Sequence, residues 1–132
     1  MYSGKFYKEL GKLLYAIAKA DGVVQKKEWD KFKEIISSKI VPLDDATDSY
    51  GTDKAFYAEF EFEGLEELDV PAELAYESFR EFLKDNKKGL DEQTRQVLLQ
   101  SVNEIANSYR GVNQKEAEML NRIYRDLDSI GK

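Results

Sequence analysis

The 132-residue chain contains no cysteine and no histidine. That removes thiol nucleophiles, disulfide frameworks, thiolate or imidazole zinc sites and any Ser-His-Asp machinery, and it leaves only oxygen ligands for a metal. No stretch approaches the roughly 20 apolar residues that a membrane span needs. The opening Met1-Tyr2-Ser3-Gly4-Lys5-Phe6-Tyr7 is not followed by the apolar core of a signal peptide. A cytoplasmic location is the default expectation. No glycine-rich phosphate loop appears, and no pair of carboxylates stands out as acid–base machinery, so the expectation is a non-catalytic protein. Basic excess is also absent. Twenty Lys and Arg stand against 26 Asp and Glu, a net charge of −6, which argues against general nucleic-acid affinity.

The charge is unevenly spread. Residues 1–40 carry nine Lys and five acids, whereas residues 44–69 carry ten acids and only Lys54. This acidic middle is either a solvated face or the mark of a basic partner or a hard cation. Residues of the AVILMFWYC set make up 42% of the chain, enough for one domain with a core of its own.

Apolar residues recur at helical spacing through most of the chain. Phe6, Leu10, Leu13, Leu14, Ile17 and Ala18 predict a helix over about 3–20, with Lys5, Lys8, Glu9, Lys12 and Lys19 mostly off its apolar face. Asp21-Gly22 stops it. Trp29, Phe32, Ile35 and Ile36 predict a second helix over about 26–38, ended by Ile40-Val41-Pro42. Residues 55–63 alternate at their end as a strand does, yet a lone strand has no partner, so a helix over about 53–68 is expected, with Phe56, Phe60, Leu65 and Leu68 on roughly one side. Pro71 opens a fourth helix with the stripe Leu74, Ala75, Ser78, Phe79 and Phe82. Asp91 is a plausible N-cap for a fifth, and Asn113 with Glu116 forms a capping-box pair for a sixth. The expected fold is all-α, a compact bundle of about six to seven helices.

A shift of 88 residues lays the last two helices on the first two. Leu10, Leu14, Ile17 and Ala18 meet Leu98, Val102, Ile105 and Ala106; Val24, Lys27 and Glu28 meet Val112, Lys115 and Glu116. This describes two pseudo-repeated helical hairpins, over about 3–39 and 90–129, flanking a central insertion over about 43–88.

The first turn, Ile17-Ala18-Lys19-Ala20-Asp21-Gly22-Val23-Val24-Gln25-Lys26-Lys27-Glu28, resembles the alanine–aspartate–glycine…glutamate turn of the tellurite-resistance TerB-like family. The second copy runs from Ile105 to Glu116. The resemblance implies an all-helical domain that carries the turn twice, a link to stress response, and acidic residues suggested to bind metal; the family includes a domain of DnaJ-type membrane co-chaperones. The chain departs from the pattern where Asp21-Gly22 becomes Tyr109-Arg110, with glycine displaced to 111. Arg110 adds positive charge where a cation site needs negative charge, and it is placed to pair with Asp21 or Glu28 if the two turns meet.

Two kinds of candidate residue follow. Asp21 and Glu28, and the loop residues Asp44, Asp45 and Asp48, are oxygen ligands for a weak divalent cation, calcium or magnesium; equally, Asp21 can stabilise its turn and Glu28 its helix start. Phe56, Tyr57, Glu59, Glu61 and Glu63 are candidates for binding a protein partner or a second subunit, against the alternative that the aromatics simply fill the core.

Overall fold

The computed structural model describes residues 3–44, 54–109 and 111–130. Asp45, Asp48 and Arg110, named above, lie outside these. Every regular element among the described residues is helical, with no strand, and residues 55–63 fall largely in a helix. Helix α1 spans Gly4–Lys19 and α2 spans Lys26–Ile35. A π-helical turn, Ile36–Ile40, joins α2 to the short α3, Val41–Asp44. Then follow α4 (Phe56–Glu67), α5 (Ala72–Asn86), a 3-10 turn (Lys87–Gly89), α6 (Glu92–Asn107) and α7 (Gln114–Leu127).

Several boundaries follow from local chemistry. The Ser3 hydroxyl accepts the Phe6 amide at 3.1 Å, and the Asp91 carboxylate accepts the Thr94 amide at 2.9 Å. Each satisfies a donor that the first helical turn leaves unpaired. The α4–α5 corner closes with Asp69 in the left-handed region (φ 51°) and the Val70 amide donating to the Leu65 carbonyl. Pro71 then caps α5 in extended geometry. The corner is tied to α1, because the Tyr15 hydroxyl donates to the Val70 carbonyl at 2.6 Å and Lys19 pairs with Asp69.

The end of the second helix is a correction to the sequence reading. Helical geometry does not stop before Pro42 but runs on to Asp44. A proline in an α-helix lacks one donor and crowds the carbonyl four residues back. Here the turn widens just before it, and the Val41 amide reaches the Ile36 carbonyl, five residues away. The widened turn takes the proline without breaking the helix.

Helix α1 is the hub. Eleven of its sixteen residues are buried, more than one face could supply, and it packs against α4, α5, α6 and α7. Its closest neighbour is α4, where a Cβ on Gly11 would lie 2.5 Å from the Ala58 carbonyl oxygen. Phe62 of α4 anchors an aromatic cluster, stacked on Phe32 at 4.3 Å and contacting Tyr15 and Trp29. Glu9, expected off the apolar face, is buried instead and accepts hydrogen bonds from Lys12 and from Ser78 of α5.

Two apolar stripes also differ from expectation. Ala58 and Phe62 give α4 its core face, whereas Phe56, Phe60 and Leu68 are exposed. In α5 the core residues are Ala75, Tyr76, Phe79, Phe82 and Leu83, and Leu74 is exposed. Side chains four apart on a helix share a face, so a row at that spacing marks a face without saying whether the core lies beneath it.

Candidate functional site

Helix α6 begins and ends 88 residues after α1, and α7 begins 88 residues after α2. The two turns therefore join matching helix pairs and share two features, although the glycine sits one position later in the second. Both contain a glycine with positive φ, Gly22 at 100° and Gly111 at 75°. Both end in a glutamate that folds back on the start of the following helix. The Gln25 amide donates to Glu28 Oε1 at 2.8 Å, and the Asn113 amide donates to Glu116 Oε1 at 3.1 Å. The turns meet in space, since Asn113 Nδ2 donates to Asp21 Oδ2 at 2.9 Å. Asp21 Oδ1 also accepts the Val23 amide at 3.2 Å.

Glu28 and Glu116 are 1% and 2% exposed, and their carboxyl groups lie within reach of each other. Two carboxylates cannot donate to one another, so a hydrogen bond between them needs a proton. Burial pushes Glu28 up to about 8, reinforced by Glu116 and Asp21, and burial also raises Glu116. We assign the proton to Glu28, which donates to Glu116, with the pair titrating as a unit. Asp21 thus joins the turns through Asn113, and Glu28 joins them through Glu116. Among the described residues no group of three or more acidic side chains is arranged to hold a metal ion. Asp44 ends α3.

Glu116 and Asn113 were not among the candidate site residues. The signal was present in the 88-residue offset that pairs Glu28 with Glu116, but a sequence cannot show that paired positions face each other.

The second candidate region is the side of α4 away from the core. Phe56, Phe60, Gly64 and Leu68 fall four residues apart and form one row, with Phe56 43%, Phe60 63% and Leu68 79% exposed. Glu59, Glu63 and Glu67 form the adjoining row. Between Phe56 and Glu67 there are five glutamates and no basic residue. Glu61 turns toward Lys12 of α1, 3.9 Å away. Glu59 is half-buried, and its pKa is raised by burial against the opposing pull of Lys33. Among the described residues Glu63 and Glu67 make no ion pair. Tyr57 is half-buried with its ring beside Gly4. Of the five predicted partner-binding residues, Phe56 and Glu63 are exposed. Phe60 and Leu68 complete the face, and a row at four-residue spacing was their signal.

No described helix is long and apolar enough to cross a membrane. A family model described as "Tellurite resistance protein TerB" matches residues 9–128. No curated protein and no solved structure matches the chain.

Proposed function

The chain belongs to the tellurite-resistance TerB family, and from that premise we propose that it is a non-catalytic helical interaction module of a stress-response type, binding a protein partner through the outer face of α4. The observation that carries this reading is the row of exposed Phe56, Phe60 and Leu68. Scattered surface hydrophobics are ordinary; an aligned row of two aromatics and a leucine with acidic neighbours is the pattern of a docking face. Covering each of these side chains contributes about 1–2 kcal/mol. The row rides on a helix fixed to the core by Ala58 and Phe62, so the face is already ordered and little entropy is lost when it docks.

Position-specific photo-crosslinking in cells tests this. A benzophenone side chain is placed at Phe60 and, as a control, at exposed Lys88. The expected result is a discrete protein adduct from position 60 only, reduced by the double substitution Glu63→Lys and Glu67→Lys. No adduct at 60, or the same adducts from both positions, would refute the reading.

A further inference from the structure

We infer that the segment received by the α4 face is a cationic amphipathic helix of another protein, lying along α4 with its apolar stripe on Phe56, Phe60 and Leu68 and its basic side chains against Glu63 and Glu67. This rests on the reading of the α4 face given above and names its partner.

Three observations select that occupant. The first is the shape of the face. The row from Phe56 to Leu68 rises about 18 Å along the helix, which matches three to four turns of a second helix. A helical face offers no free backbone donors or acceptors. A docked extended strand would therefore bury its own amides and carbonyls unpaired, whereas a helix satisfies them internally. The second is charge. Glu63 and Glu67 stand beside the apolar row without an ion-pair partner among the described residues. A neutral or acidic partner would desolvate them uncompensated, at several kcal/mol. A lysine or arginine one turn along the partner meets them at helical spacing. The same carboxylates repel an anionic lipid surface.

The third observation concerns a second copy of this chain. Two copies joined across this face by a two-fold axis bring the same patch against itself. With the axis perpendicular to α4 each acidic row would adjoin its own counterpart, and with the axis parallel to α4 neither row would meet a base, since the segment has none between Phe56 and Glu67. Self-association through this face is opposed by like charge, and a basic partner is favoured by the same groups.

A defined probe decides it. Full-length protein is titrated, with anisotropy as readout, into a labelled helical peptide of roughly 18 residues built of leucine and lysine with a single apolar stripe. Two controls share its length: the same stripe with glutamate replacing lysine, and the leucine–lysine composition scrambled to destroy the stripe. The striped cationic peptide should bind at least about tenfold more tightly than either control, and should weaken about tenfold with Phe60→Ser, with Glu63→Lys/Glu67→Lys, and with added salt. These positions are exposed, so thermal melts should show both variants folded.

If striped peptides of either charge bind alike and Phe60→Ser releases both, the α4 face is a docking surface and the cationic partner is wrong. Equal binding by the scrambled peptide overturns the amphipathic helix. No binding by the striped cationic peptide, or binding indifferent to both variants, also overturns the inference. The crosslink at position 60 reports separately on whether the face is used at all.

Discussion

Gly11 lies in a close interhelical contact, and its substitution has two opposing effects. In an exposed helix, alanine is favoured over glycine by about 1 kcal/mol, because glycine loses more backbone freedom on folding. At position 11 the added methyl would lie 2.5 Å from the Ala58 carbonyl oxygen. That atom is backbone inside α4, so no rotamer change relieves the overlap, and α1 and α4 must separate along their whole contact. Separation also loosens Phe62 in its stack against Phe32. The steric effect is larger: Gly11→Ala is expected to destabilise the protein by about 2 kcal/mol or more, read as a lower midpoint in urea. A midpoint at or above wild type would show that the helices part freely. Gly64 is the internal comparison. It has open space around it, so Gly64→Ala should be neutral to stabilising in the same assay.

At the scale of elements, legibility tracked side-chain chemistry. The starts of α1, α6 and α7 are set by Ser3, Asp91 and Asn113, each placed immediately before an apolar repeat, and such caps are readable because the donor and acceptor lie three residues apart in sequence. The run through Pro42 was not legible, because the usual rule assumes four-residue hydrogen bonding and a π turn changes that spacing. The facing of α4 was illegible for a different reason: it carries apolar rows on two opposite sides, and only the tertiary partners Tyr15, Trp29 and Phe32 select the side bearing Phe62. The carboxyl pair was half visible, since Glu28 and Asp21 stood out while their meeting with Glu116 and Asn113 is a long-range event. Asn113 works at both levels. Its Oδ1 accepts the Glu116 amide at 2.9 Å and its Nδ2 donates to Asp21. Asn113→Ala should destabilise by about 1–2 kcal/mol through the lost cap alone. Asn113→Asp keeps the cap acceptor but puts a second carboxylate against Asp21, so it should recover only part of that loss at neutral pH, and more of it in acid. Equal recovery at both pH values in chemical denaturation would mean the Asp21 contact is immaterial.

Across the whole molecule, the meeting of the two turns should make stability depend on pH in an unusual direction. A carboxyl raised from its ordinary value binds its proton more tightly in the folded state than in the unfolded chain. For Glu28, raised to about 8 from 4.5, the folded state therefore holds the extra proton between those values. Its stabilising contribution is complete below the unfolded value and is lost as pH rises through about 8; Glu116, raised in the same sense, acts alongside it. Opposite behaviour comes from Asp91 and Glu92, both lowered, Asp91 by its Thr94 hydrogen bonds and Glu92 by its bond to Arg95. Their contribution is lost only as the solution becomes strongly acid. Together these place the stability maximum on the acid side of neutrality, near pH 5, with a fall toward pH 8.5. Glu28→Gln tests the cause. In this variant the side-chain amide oxygen at position 28 can still accept the Gln25 backbone amide, and the side-chain nitrogen can donate to an ionised Glu116, so the contact persists without a proton to lose. Thermal melts from pH 5 to 8.5 should show the wild-type melting temperature dropping progressively between about pH 5 and 8 while the variant's stays more nearly level, so that the difference between the two curves changes through that whole interval. Parallel curves would mean that the two carboxyls do not share a proton, and that the turns are held together by Asp21 and Asn113 alone.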